Sequence, residues 1–424
     1  TVEPGPLAGI GRVAIDGTKD VDPRVIASHI YLEEGEPYSP QKIVDTRKSI
    51  SRISALGSVR IRESETLDIN GNLPLFVDVT ERKPRVIGFS ARYSTIDGPG
   101  LQTYWEHRNL FGGAERLRLE GDLTLMPRID GTRISGIKDL KWSDLGNRFS
   151  ASFEKPALGG SRNDLLIDAQ AVHERVGTRA FGGYTNRAGG ATLAIKNRFS
   201  DTFSIQGGVQ AERSSSTDVL GRVDATLIGL TSSVRFDNTD NLLNPTTGFR
   251  FTATANGYPT ALGSTVGLVE ARATGSTYYA LDDEARYVLA GRLGVGTIGG
   301  AELADIPSAH RFYAGGGGSV RGYAYHTVSP EYQGQITGGR SLFEASAEAR
   351  IRLTDTIGVV PFVDVGSAFT SGLPDLKQFV AVGAGLGLRY LTPIGPIRID
   401  LATPVNKRSG DKLLALYISI GQAF

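Results

Sequence analysis

The chain has 424 residues, with 46 basic against 45 acidic side chains and no cysteine. The near balance of charge gives no reason to expect a nucleic-acid partner, and the lack of cysteine removes disulfides, thiol nucleophiles and cysteine-based zinc sites. Its 54 glycines are close to twice the usual share of about 7% and follow no collagen period, which predicts bulges, turns and close backbone packing in sheets. No apolar run of about 20 residues is present, so no membrane-spanning helix is expected; a closed barrel, which crosses with half-apolar strands of about 10 residues, stays open. The chain opens Thr1-Val2-Glu3-Pro4 without Met or signal peptide, which reads as a processed or truncated N-terminus.

Residues 1–84 differ from the rest. Gly11 to Asp16 reads as a strand. Asp22-Pro23 opens a helix ending near His29, and Ser39-Pro40 caps a second helix through Ile53, with Ile43, Ile50 and Ile53 on its buried face. Ser58 to Arg62 and Leu75 to Val79 read as two more strands, which makes a β-α-α-β-β unit, and Glu81-Arg82-Lys83-Pro84 reads as a hinge.

From Arg85 onward the pattern becomes period 2. In Phe379 to Tyr390, Val380, Val382, Ala384, Leu386, Leu388 and Tyr390 share one face, and Ala381, Gly383, Gly385, Gly387 and Arg389 the other. Leu117, Leu119, Leu123 and Leu125 oppose Arg116, Arg118, Glu120 and Asp122 in the same way. Sixteen such strands are expected, beginning near Arg85, Gly100, Ala114, Gly146, Asp164, Ala188, Thr202, Asp224, Gly248, Gly267, Tyr287, Ser341, Ile357, Phe379, Pro396 and Leu413. Connections alternate between short, as at Gly112-Gly113 and Pro393 to Gly395, and long, as at Met126 to Leu145 and Gly300 to Arg340. Short turns on one side and long loops on the other, with an apolar and a charged or glycine face per strand, predict an all-β transmembrane barrel of sixteen antiparallel strands over 85–424, apolar outside and polar within. An even strand count places both barrel ends on the side of the N-terminal unit.

The long connection carries Gly315-Gly316-Gly317-Gly318-Ser319-Val320-Arg321-Gly322-Tyr323. A phosphate cradle is a poor fit, because no Lys-Ser/Thr follows the glycines and no strand-to-helix turn is expected there. Strand phase turns Glu344, Ser346, Glu348, Arg350 and Arg352 inward on the strand from Ser341, and Asp364 inward on the next. A guanidinium fork suits bidentate contact with such carboxylates. The plainer alternative is that these are ordinary solvated charges of the lumen.

Val320-Arg321-Gly322-Tyr323 resembles the Val-Arg-Gly-Tyr/Phe motif of the BamA/TamA superfamily, and Pro361-Phe362-Val363-Asp364-Val365-Gly366 its Phe-x-Asp-x-Gly strand. Trp105 to Gly112 looks like the start of a TamA-type barrel, Phe236 to Gly248 like a periplasmic turn of the superfamily, and Leu416 to Phe424 like the C-terminal insertion signal of bacterial barrels. Residues 1–84 resemble a POTRA domain, the small α+β module of this superfamily; TamA-type members usually carry three and BamA-type five, against one here. The resemblance covers nearly the whole chain. It implies that the loop at about 300–340 folds into the barrel and that Arg321 pairs with Asp364 and Glu348 on the wall.

The function so implied is assembly and insertion of outer-membrane β-barrel proteins or autotransporters, without enzymatic chemistry, catalytic residues, metal or cofactor. The partners implied are unfolded outer-membrane protein clients, outer-membrane lipid and an inner-membrane-anchored TamB-like protein reached through POTRA domains. The expected mechanism is a lateral gate where the barrel closes, with Ile87, Phe89 and Tyr93 on the first strand against Leu416, Ile418, Ile420, Gly421 and Phe424 at the end of the chain. Unpaired backbone groups there would template a client strand, and Gly421 would weaken regular pairing. The runner-up is a two-partner-type secretion pore, and a passive porin is third. The five histidines, His29, His107, His173, His310 and His326, show no metal-ligand spacing and are expected at the surface or in the lumen.

Overall fold

The computed structural model of the chain describes residues 8–94, 98–126, 141–178, 181–392 and 395–424. The expected strands begin within a few residues of those observed, except for one placed near Ala188, which starts at Gly182. That strand opens Gly-Gly-Tyr-Thr-Asn-Arg, with no apolar alternation to announce it.

The N-terminal unit runs β1 (Gly9–Asp16), α1 (Pro23–Ala27), α2 (Pro40–Ile50), β2 (Leu56–Glu63) and β3 (Asn72–Glu81), the order read from sequence. Its sheet is ordered β1-β3-β2, with β1 parallel and β2 antiparallel to β3. Asp22 caps α1 by accepting from the Arg24 amide. Ser39 makes no side-chain cap on α2; Pro40, with its fixed φ and missing N–H, starts that helix. The helix stops at Ile50 rather than Ile53 and passes into a turn that still buries Ile53.

Sixteen antiparallel strands make the second sheet. They are β4 (Arg85–Ser94), β5 (Gly98–His107), β6 (Arg116–Leu125), β7 (Leu145–Lys155), β8 (Asn163–Thr178), β9 (Gly182–Arg198), β10 (Phe203–Asp218), β11 (Gly221–Asp237), β12 (Gly248–Tyr258), β13 (Leu268–Ala280) and β14 (Tyr287–Gly299). After a short hairpin, β15 (Glu331–Tyr332) and β16 (Gln335–Ile336), the wall continues with β17 (Ser341–Arg352), β18 (Ile357–Phe369), β19 (Ala381–Tyr390), β20 (Ile397–Pro404) and β21 (Ala415–Ile420). The expected loop Met126 to Leu145 and the turn at Pro393 lie largely outside the described residues.

The alternation read from sequence separates outside from inside. Leu119, Leu123, Phe149, Val209, Leu230, Leu289, Leu293, Leu386 and Leu388 are exposed, whereas Asp122, Glu344, Glu348, Arg350, Asp364, Arg389 and Asp400 are buried. An exposed leucine-rich band around a wall with buried charges suits hydrocarbon outside. In detergent the protein is expected to be strand-rich by circular dichroism and to migrate faster on SDS gels unboiled than boiled. A helix-dominated spectrum, or a monodisperse monomer without detergent, would reject the barrel.

The interior differs from the expected polar lumen. Ile306, Phe312, Ala314, Val320, Tyr323 and Val328 of the long loop are at most 5% exposed and form one apolar cluster with Leu227, Tyr258, Leu268, Ile298, Leu342, Ala368 and Ala381 of the wall. The loop therefore brings its own hydrophobic core into the barrel. Alternation shows which residues face inward, and only tertiary structure shows what meets them there.

The segment expected as a hinge is tied down. Glu81 accepts from the amides of Lys19, Asp20 and Val21 at 2.7–3.2 Å, and the Arg82 amide donates to the Ala55 carbonyl at 2.7 Å. The unit also docks on the barrel. The Asp22 amide donates to the Gly112 carbonyl at 2.8 Å, Arg198 donates to Ser28 Oγ at 3.0 Å, and Ala114 and Ala157 of the barrel turns join its apolar core.

His29 sits in this contact, buried rather than on the surface as expected from sequence. Its ring meets the Val25 carbonyl and Ser28 Oγ, and Arg198 and Lys196 of β9 and Asp164 of β8 surround it. Burial, then the Arg198 charge, push it down to about 4 from the usual 6.5. The folded form thus holds a neutral ring. Its stabilisation is complete above the unfolded value of 6.5, fades as pH falls through 6.5 toward 4, and amounts to about 3 kcal/mol at most. Proteolysis of the N-terminal unit is expected to speed up between those values, and His29→Gln to flatten the dependence. A pH-independent wild-type rate would reject this.

Candidate functional site: the inward loop and its buried arginine

Arg321 is the centre of the site. Gly322 holds φ at +102°, and a Cβ there would lie 2.8 Å from the Thr403 carbonyl carbon, so only glycine fits between the loop and β20. This close approach seats Arg321 against three acids. Its Nε and Nη2 donate to the two oxygens of Asp364 at 2.7 and 2.9 Å, and its own amide donates to Asp364 Oδ2 at 3.0 Å. Nη1 donates to Glu348 Oε1 at 2.8 Å and to Asp400 Oδ2 at 3.0 Å. The guanidinium also lies 3.4 Å from the centroid of the Phe362 ring.

The glycine face read on β19 has a physical reason. A Cβ on Gly383 would sit 1.8 Å from the Arg321 carbonyl oxygen, and one on Gly385 would sit 2.4 Å from the Phe362 ring. Glycine at both positions lets the loop backbone and the supporting ring press against the wall.

The neighbouring charges extend the network. Arg350 donates to Glu348 Oε2 at 3.0 Å, Arg389 donates to Asp400 Oδ1, and Arg398 lies 3.4 Å from Asp400 Oδ2. Side-chain exposure is 2% for Arg321 and 0% for Asp364, Glu348 and Asp400. The pairing of Arg321 with Asp364 and Glu348 is the one the resemblance implies, and the alternative of ordinary solvated charges does not hold at these residues, because the loop's own apolar core closes over them.

Motif residues also hold the chain end. The Gly322 amide donates to the Tyr417 hydroxyl at 3.2 Å, which donates to the Tyr323 carbonyl at 2.9 Å, and the Tyr323 hydroxyl donates to Asn406 Oδ1 at 2.8 Å. Val320 is fully buried in the loop core. Sequence reading missed Asp400, Phe362 as a ring support, and Tyr417. The alternation of Ile397, Ile399 and Leu401 against Arg398 and Asp400 carried the signal for the first.

Of the residues assigned to a gate, Ile87, Phe89, Leu416, Ile418 and Ile420 are 57–82% exposed on the outer face of β4 and β21. Tyr93 lies in β4, with its side chain outside the described residues. Phe424 does not belong with them. Gly421 turns the chain at φ +92°, and the tail runs inward, with the Arg350 Nη2 donating to the Phe424 main-chain oxygen at 3.2 Å and the Phe424 ring stacked on the buried Tyr278 at 6.3 Å. The reason is the left-handed turn, which ends the alternation that a strand reading extends to the last residue.

The sheet is ordered from β21 through β20 to β5 and β4, and no backbone ladder joins β4 to β21 among the described residues. Strand length falls toward that seam. β8 to β11 have 16–17 residues, whereas β20 has 8 and β21 has 6. Six residues span roughly 20 Å along a strand, less than an apolar band of about 25 Å once tilted.

Fold and site together define a transmembrane β-barrel whose lumen holds a loop locked through one arginine. The chain matches the Omp85 superfamily domain over residues 109–424 and belongs to that superfamily. It is 24% identical over 439 residues to the outer membrane protein assembly factor BamA of Nitratidesulfovibrio vulgaris, covering 98% of this chain and 51% of that protein. The chain spans about half the length of the curated BamA relatives it matches. Among solved structures it is similar to BamA from Haemophilus ducreyi lacking POTRA domains 1–3, with TM-score 0.71, 17% identity and coverage of 98% of this chain and 84% of that one. It also resembles CdiB from Escherichia coli, with TM-score 0.65, 13% identity and coverage of 97% and 75%. At these identities the structural likenesses speak to fold alone.

Proposed function

We propose that the chain assembles and inserts β-barrel proteins or autotransporters into the outer membrane through a lateral gate between β4 and β21. The observation that carries this reading is the seam, where the two ends of the sixteen-stranded sheet, β4 and the six-residue β21, are apolar on the outer face and share no ladder among the described residues. Such a pair leaves N–H and C=O groups free to template an incoming strand. The BamA relatives, named for outer-membrane protein assembly, support it.

In this reading residues 1–84 are a POTRA domain in the periplasm, and the clients are unfolded outer-membrane proteins received beside outer-membrane lipid. A TamB-like inner-membrane partner would engage through POTRA domains. Placement near TamA-type members rests on the sequence motifs. The arginine site holds the loop against the inner wall, with Tyr417 reaching it from the gate strand. A two-partner-type pore, favoured by the CdiB-like fold, would have to move this apolar core out of the path.

In phospholipid liposomes, the protein is expected to speed folding of an added unfolded barrel protein relative to liposomes holding a passive barrel. Equal rates would reject assembly activity.

A further inference from the structure

Beyond Arg321, the loop carries a second buried polar cluster. His310 lies between two carboxylates, with Nε2 3.1 Å from Glu212 Oε1 on β10 and Nδ1 3.4 Å from Glu270 Oε2 on β13. The neighbouring Arg311, with its side chain fully buried, pairs with Asp218 at the end of β10 and donates to the Ile306 and Thr337 carbonyls at 2.9 Å. Ser308 adds its amide to Ser216 Oγ at 3.0 Å and its hydroxyl to Asp218 Oδ2 at 2.8 Å. Three polar residues on one short stretch, Ser308, His310 and Arg311, each attached to the wall, form a built anchor.

This anchor lies on a different part of the barrel. Arg321 is held by β17, β18 and β20, and β10 is six strands from β18 in the sheet order. Between the two anchors runs Gly315-Gly316-Gly317-Gly318, with φ of +102° and +101° at the first two. Four glycines in succession resist bending less than any other backbone. The second anchor, by contrast, follows Pro307 and occupies a 3-10 turn, Ser308–His310.

We propose that the loop stands on two separate polar footings, that His310 and Arg311 are the positioning residues of the second, and that the glycine run is the hinge between them. The Arg321 tip can then leave its acids and return while the stretch 308–314 stays on β10 and β13, so the loop swings inside the barrel without being lost from it. This rests on the assembly reading only for its purpose, because the two footings are a statement about the loop itself.

The absence of cysteine allows a clean test on the whole chain in detergent. Ala309 and Ala324 are exposed, one beside each footing, and each takes a nitroxide through Ala309→Cys or Ala324→Cys. Arg321→Ala is expected to raise the mobile spectral fraction severalfold at 324 and to leave 309 unchanged. His310→Gln with Arg311→Ala is expected to mobilise 309. If that variant does not fold, Glu212→Gln with Glu270→Gln removes the carboxylate partners from the wall instead. Equal mobilisation of both labels by Arg321→Ala would show that the loop moves as one body and overturn the proposal, as would an immobile 309 after loss of the second footing. Client assembly measured on the same samples separates the two ideas. If the labels behave as stated and Arg321→Ala still assembles clients fully, the two footings stand and the loop's role in assembly falls.

Discussion

Oxidising a cysteine pair placed across the β4–β21 seam is expected to abolish client insertion, and reduction to restore it. A client strand that must end in lipid cannot leave through a wall that is hydrogen-bonded all round. Every other neighbouring pair in the barrel is joined by a ladder and by sequence connectivity, whereas β4 and β21 are the two ends of the sheet. Opening there breaks no internal hairpin. One cysteine belongs between Val86 and Arg92 and the other between Leu414 and Ile420, at a pair whose Cα atoms fall within about 7 Å, the reach of a disulfide. The chain has no cysteine of its own to confuse the pairing. A secretion pore, whose client passes along the axis, would tolerate the lock. Full activity in a quantitatively cross-linked sample would therefore reject the lateral gate in favour of the pore.

Arg321→Ala is expected to be the most damaging single change in the lumen, costing about 3–5 kcal/mol, as removal of one partner of a buried ion pair does. The upper part of that range applies, because the arginine and its three acids are almost wholly shielded from solvent. The acids differ in what they lose. Glu348 keeps Arg350, and Asp400 keeps Arg389 and Arg398. Asp364 receives two hydrogen bonds from the guanidinium and one from the Arg321 amide; only the amide bond survives in the alanine variant, and the carboxylate becomes an uncompensated buried charge. Asp364→Asn should therefore cost less than Arg321→Ala, and the double variant should be no worse than Arg321→Ala alone. Arg321→Lys should fall between, since an ammonium cannot reach Asp364 with a fork and Glu348 and Asp400 as well. Unboiled gel migration against temperature measures this for all four variants. Additive losses in the double variant would show that the two residues act separately.

Much of this protein is legible residue by residue. Period-2 alternation is local, so Leu386 and Leu388 outward and Glu348 and Asp364 inward follow from their own strands, and sixteen such strands follow from counting them. The reason is physical: a strand sends successive side chains to opposite faces, and a wall with lipid on one side makes the difference between faces large. The pairing of a loop arginine with inward acids was readable because the resemblance named the loop and the strand phase named the acids.

What only tertiary structure decided depends on residues distant in the chain meeting across the lumen. Asp400 joins Arg321 because β20 stands two strands from β18, and Phe424 meets Tyr278 of β13 because Gly421 bends the tail inward across the barrel floor. Burial of Ile306, Phe312 and Val328 placed a packed apolar core inside the expected polar lumen, and docking on the turns at Gly112 and Ala157 turned an expected hinge into a joint. Alternation reports the face a residue points to. It carries no information about what stands opposite, which is set by the closing of the wall and by the path of a loop free to fold in or out.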